Sequence, residues 1–166
     1  MKKSVTFDEE KLEQILLIPT NRENKAGTCI TCCFYSSLIF ITNIVYAYLE
    51  GYYYYSFLFF CLLCTSLLVH SNIHRNITVL LDKIPIIGIV TYGGYLFYKK
   101  CLTLDGWNQY TIAVAIVVTF LTTIFLYYYG YLTNQFCYCE DESQAYYYHS
   151  ALHIIASIGH NLILYL

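Results

Sequence analysis

The run Gly106–Tyr131, GWNQYTIAVAIVVTFLTTIFLYYYGY, holds 26 residues without one Asp, Glu, Lys or Arg. A hydrocarbon layer about 30 Å thick is crossed by about 20 apolar residues in a helix. Lipid offers no partner to an exposed backbone N–H or C=O, so a run of this kind pairs its backbone internally as a helix. Working outward, the same reading gives spans from about Cys29 to Leu49, closed by Glu50-Gly51, and from about Tyr52 to His70. A third begins near Leu80 or Asp82 and ends before Lys99-Lys100. Its wholly uncharged part, Ile84–Tyr98, is only 15 residues long, which puts Asp82 inside the membrane boundary. A fifth runs from about Ala145 to Leu166. The fold class expected is all-α: a polytopic transmembrane bundle of about five spans, with Tyr clusters at 52–55, 127–129 and 146–148 near span ends, where amphipathic rings favour the interface.

Composition agrees. Of 166 residues, 58% are hydrophobic and 12% charged, against roughly 45–50% and about 25% in soluble domains. The mean hydropathy of +0.49 understates this character, because 20 Tyr score as polar while presenting largely apolar rings. Low charge excludes a disordered chain, and a net charge of −2 without a basic stripe argues against nucleic acid as a partner. Residues 1–27 differ, mixing Lys2, Lys3, Lys11, Arg22 and Lys25 with Asp8, Glu9, Glu10, Glu13 and Glu23. They read as a soluble tail ahead of a membrane domain at 28–166. No apolar stretch directly follows Lys2-Lys3, as a cleaved signal peptide requires. Leu12 and Ile15–Ile18, ahead of Pro19, suit a short amphipathic turn on the membrane. The tail, Arg75 and Lys83 outweigh Lys99 and Lys100, so the positive-inside rule favours a cytoplasmic N-terminus.

Eight cysteines include two CxxC spacings. Cys61 and Cys64 fall mid-span and read as small packing residues. Cys29, Cys32 and Cys33 at a helix entrance are candidates for palmitoylation. Cys137 and Cys139 flank a loop, either paired or as thiols.

An ionisable group inside a span costs about 2.5–3.5 kcal/mol for a central Asp, so each one is a functional candidate. Here they are His70, Asp82, His149, His153 and His160. His149 and His153, four apart, share a helix face and can reach one metal. Ser66 and His70 share a face by the same spacing. Chain direction sets their depth: His70 is near the exit of the second span, Asp82 near the entrance of the third, and the HxxxH pair near the entrance of the fifth. All therefore lie toward one side of the membrane. Three neutral imidazoles with one open position are a recurrent catalytic zinc set. Asp82 is then placed as general base and Ser66 to hydrogen-bond Asp82 or a developing oxyanion. His160, two turns deeper than His153, reads as a packing residue or one standing behind the ligands. His74, beside Arg75, belongs to the interfacial loop. The bland alternative is polar glue between helices.

These motifs resemble a superfamily of zinc-dependent membrane hydrolases and receptors that includes the alkaline ceramidases and the progestin and adiponectin receptors. The likeness is greater to the ceramidases. Ser66-Leu-Leu-Val-His70 is similar to their Ser-x-x-x-His, Leu80-Leu81-Asp82-Lys83-Ile84-Pro85 to their Leu-Leu-Asp-Glu-Leu-Pro, and His149-Ser-Ala-Leu-His153-Ile-Ile with Gly159 to their His-x-x-Trp-His-Ile-Leu and downstream Gly. Asn134-Gln-Phe-Cys137 is a fainter match. The resemblance covers about Asn43 to Leu166. It implies zinc on His70, His149 and His153, catalytic roles for Asp82 and Ser66, and hydrolysis of the amide of ceramide or a similar lipid to a sphingoid base and a fatty acid. It further implies a lipid substrate entering from the bilayer and an endomembrane location, endoplasmic reticulum or Golgi. Three features depart from the family: about five helices where it has seven, Leu152 where it has Trp, and no secure counterpart of its acidic calcium-binding segment. A helix pair missing between spans three and four preserves the direction of the last span, and self-association is one way to replace it. The rival expectations are a catalytically inert or receptor-like protein with a structural zinc site, and a plain structural membrane protein.

Overall fold

The computed structural model describes residues 27–71 and 75–166, with side chains over 32–71 and 77–166. Every regular element among them is helical, arranged as five rods. The first comprises α1 (Gly27–Ser37) and α2 (Phe40–Leu49), so the span expected over Cys29–Leu49 is broken at Leu38-Ile39. The cause is local. The hydroxyls of Ser36 and Ser37 both turn back on the carbonyl of Cys33, at 3.0 and 2.8 Å, and such back-bonding loosens a helix and bends it. Leu38 and Ile39 then donate to the carbonyls three residues back.

Gly51, at φ 79°, makes the tight turn into α3 (Tyr53–His70), a left-handed conformation that costs glycine nothing. The third rod, α4 (Arg75–Cys101), starts five to seven residues earlier than its charge pattern indicated and carries Pro85 in its interior. The fourth is α5 (Trp107–Ile124), a π-helical turn (Phe125–Tyr129) and α6 (Gly130–Thr133). Left-handed Asn134 ends it, a 3-10 turn follows at Phe136–Tyr138, and α7 (Glu142–Tyr165) completes the chain. The Asp141 carboxylate caps α7, accepting from the backbone N–H of Ser143 at 2.9 Å, one of the donors a helix start leaves unpaired.

Four rods have spans long and apolar enough to cross a membrane: Cys32–Leu49, Tyr53–His70, Ile77–Cys101 and Trp107–Thr133. Their surfaces fit lipid. Most of Trp107–Thr133 is not buried in the protein, and Leu49, Ile87, Val114 and Trp107 point outward, an apolar periphery that water would not tolerate. The chain is thus an all-α polytopic membrane bundle. The fifth rod, α7, is long enough at 24 residues but carries His, Ser and Asn along its length. It lies innermost, packed on α1, α2, α5 and the 136–138 turn and touching α4, while α3 packs between α2 and α4.

Neighbours satisfy these polar groups. Asn43 of α2 donates to the Ser157 carbonyl at 2.9 Å and to Asn161 Oδ1 at 2.8 Å, and Ser157 Oγ donates back to Asn43 Oδ1 at 2.6 Å. Gly159 lets α5 approach α7, since a Cβ there would stand 2.4 Å from Thr119 Oγ1. Tyr55, Phe59, Ile116 and Ile163 are wholly buried between these rods. Residues 1–26, most of the expected soluble tail with its amphipathic turn, lie outside the described residues, as does His74, and the side chains of Cys29 and Arg75 are likewise not described.

Candidate metal centre

Three imidazoles meet at one end of the bundle. His70 comes from the last turn of α3, and His149 and His153 come from successive turns near the start of α7. One potential ligand nitrogen from each lies within 4.8 Å of the other two. The ring centroids form a triangle of 4.8, 5.3 and 5.5 Å sides, with edge-on ring planes. His153 is buried and the other two are half-buried. It is the one grouping of three or more His, Cys, Asp or Glu among the described residues able to hold a metal ion.

The donor set suits zinc. Nitrogens held at about 2.0–2.1 Å around one tetrahedral ion lie a little over 3 Å apart, inside the 4.8 Å that bounds the separations here. One ring also has a partner behind it: Ser36 Oγ lies 2.9 Å from His153 Nδ1 and 3.0 Å from the Cys33 carbonyl. In the tautomer protonated at Nδ1, Ser36 accepts that hydrogen and His153 Nε2 is the lone-pair donor. A hydrogen bond behind a ligating imidazole fixes ring orientation and raises ligand basicity. His70 and His149 complete a set of three imidazole nitrogens with no carboxylate among them.

The acid and hydroxyl expected beside the imidazoles are present with other partners. Asp82, half-buried on α4, accepts a hydrogen bond from Thr65 Oγ1 at 2.7 Å. Its Oδ2 has no hydrogen-bond partner among the described residues and is not sealed from solvent. Ser66, buried one residue further along α3, pairs with Ser37 Oγ at 2.9 Å rather than with Asp82. Ser37 Oγ also lies 2.8 Å from the Cys33 carbonyl, and either hydroxyl of the Ser37–Ser66 pair can donate to the other. The hydroxyl proposed for Asp82 therefore belongs to Thr65, because Thr65 faces α4 while Ser66 faces α1.

His160 does not join the centre. Its Nδ1 pairs with the Tyr55 hydroxyl at 2.5 Å, and Phe59 and Phe120 meet its ring edge-on, so it is a packing residue. Cys61 is half-buried, Cys64 is exposed, and neither belongs to a metal-holding group. No disulfide joins Cys137 to Cys139. Burial pushes the Cys137 thiol up to about 12.

Ser36, Ser37 and Thr65 escaped the sequence reading. Their one visible signal is small hydroxyl residues in apolar runs, a pattern shared by residues that merely back-bond their own helix, as Thr122 does.

Fold and site define a polytopic helical membrane protein with a three-histidine centre at one end of its bundle. No protein-family model matches the chain, and comparison with curated proteins and with solved structures gave no match either.

Proposed function

We propose that the chain is a zinc-dependent intramembrane amidase that hydrolyses ceramide or a similar lipid amide to an amine and a fatty acid. The carrying observation is the convergence of His70, His149 and His153 with the Ser36 hydroxyl behind His153. The motif resemblance to alkaline ceramidases supports the choice of reaction, and the lipid-facing periphery supports a substrate that arrives from the bilayer.

His70, His149 and His153 would hold the zinc, which when bound would supply Lewis acidity toward an amide carbonyl and lower the pKa of water toward neutrality. The protein's own part is proton management and positioning. Hydrolysis breaks the C–N bond, delivers OH to the acyl carbon and H to the leaving nitrogen. Asp82 Oδ2 takes the proton from the attacking water and returns it to that nitrogen. Thr65 holds Oδ1 and leaves Oδ2 to carry the proton. Ser66, anchored through Ser37 to the Cys33 carbonyl, lines the same end of α3 as His70.

The test has two readouts on protein in nanodiscs: zinc per chain, and release of labelled fatty acid from ceramides. The expected result is one zinc per chain, lost in His149→Ala, with fatty acid released. Zinc near zero and indifferent to His149→Ala would discard the reading. Zinc bound without turnover on any chain length selects the inert or receptor-like alternative. Cell fractionation tests the endoplasmic reticulum or Golgi location that goes with the amidase reading.

A further inference from the structure

Lys83 follows the proposed base directly and is a cation at the site end of a chain with few charges. It is half-buried, and its ammonium donates to the Tyr127 hydroxyl at 2.8 Å while lying 5.0 Å from the centre of that ring. No carboxylate stands within ion-pair distance of it among the described residues, since Asp82 is turned to Thr65. Two of its three N–H donors have no hydrogen-bond partner among the described residues.

The surroundings are equally specific. Although α4 and α5 are consecutive rods, they do not pack along each other; α4 leans on α3 and α5 on α7. Lys83 and Tyr127 meet tip to tip across that separation. Tyr127 belongs to the π-helical turn, a local widening often found at functional positions, and Tyr138 closes on its ring edge at 5.4 Å. Further along the two rods, Ile84 and Ile87 of α4 and Val118 and Leu121 of α5 are exposed, so the surface that continues from the bridge is apolar and open to lipid. An uncompensated cation partly withdrawn from water gains most from a charge-assisted hydrogen bond.

We infer that Lys83, held by Tyr127, binds an anionic group, carboxylate or phosphate, on the amine side of an acyl-amide ligand whose chain lies between α4 and α5. This names the substrate class and rests on the amidase reading only for the bond that is cut; binding of the anion needs no turnover.

The experiment therefore measures binding to metal-stripped protein in neutral phosphatidylcholine nanodiscs, with N-oleoylglycine against uncharged N-oleoylethanolamine. The wild type should prefer the anionic ligand about tenfold, which corresponds to about 1.4 kcal/mol. Lys83→Gln should erase the preference, Lys83→Arg keep it and Lys83→Glu reverse it. Equal affinities in the wild type, or a preference unchanged in Lys83→Gln, would overturn the assignment. So would Lys83-dependent displacement by phosphatidylglycerol in the nanodisc, which would give the anion to the bilayer headgroup. Tyr127→Phe, which keeps the charge and the ring, guards against misfolding: it should retain a reduced preference, and its complete loss with the fold intact would assign the anion to the hydroxyl and overturn the role of Lys83. Turnover is measured separately, so failure of the amidase reading leaves a binding preference intact, and the reverse.

Discussion

The Ser36 hydroxyl lies 2.9 Å from His153 Nδ1, 117 residues away in the chain. Ser36 belongs to α1, and the packing of α1 on α7 brings its hydroxyl to the ring. Removing that hydroxyl in Ser36→Ala leaves the three nitrogens in place but frees the His153 ring to rotate and change tautomer. Zinc affinity should fall about 10–100-fold in a chelator competition titration, with helix content unchanged. Unaltered affinity would reduce Ser36 to a helix-bending residue.

The two buried histidines of α7 should separate cleanly. His153→Ala should lose zinc. His160→Ala should keep it, yet lower the thermal midpoint, since the Tyr55 hydroxyl is left buried without its partner at a cost of about 1–3 kcal/mol. Zinc loss in both variants would contradict the division between centre and core.

Asp82→Asn should lower turnover about 10²–10⁴-fold while zinc stays bound. Thr65→Val, which releases Oδ1, should give a smaller loss in kcat with zinc again retained. Metal loss in Asp82→Asn would make that carboxylate a ligand instead.

Gly159→Ala forces a methyl against Thr119 Oγ1 and should destabilise the α5–α7 contact by about 1–3 kcal/mol. Adding Thr119→Ala, which removes the opposing hydroxyl, should recover most of the loss. A double variant no more stable than the single one would place the strain elsewhere.

Cys137 should resist alkylation. With its thiol pushed up to about 12 by burial, the reactive thiolate is a trace at pH 8 and grows as pH rises toward that value. Peptide mapping after iodoacetamide treatment should find Cys137 unmodified at pH 8 and increasingly modified above pH 10 in folded protein. Ready modification at pH 8 would contradict the burial.

The spans were legible because lipid imposes a local rule: about 20 uncharged residues, helical, bounded by charge or turn residues. The HxxxH and SxxxH faces were legible because helical spacing is also local, and chain direction then put His70, Asp82 and the α7 pair toward one side. What each polar group touches was not. Thr65 and Ser66 are adjacent and alike in chemistry, yet one faces Asp82 and the other Ser37, which depends on how α3 is rotated between α1 and α4. The break at Leu38-Ile39 hid in an apolar run whose hydropathy is continuous. α7 is less apolar than the other rods, and the polar groups it carries are matched by neighbours far away in sequence, Asn43 and Tyr55 among them.

By itself, then, the sequence determined a membrane-spanning helical chain, the side of the bundle where its titratable residues gather, and the three imidazoles able to share an ion. Only the tertiary structure decided that they converge, that Ser36 stands behind one of them, that Thr65 rather than Ser66 holds Asp82, and that Lys83 reaches Tyr127 across two rods that do not pack. The physical reason is range: burial in lipid and helical periodicity act over a few residues, whereas hydrogen bonds between rods depend on rotation and offset set by the packing of the whole bundle.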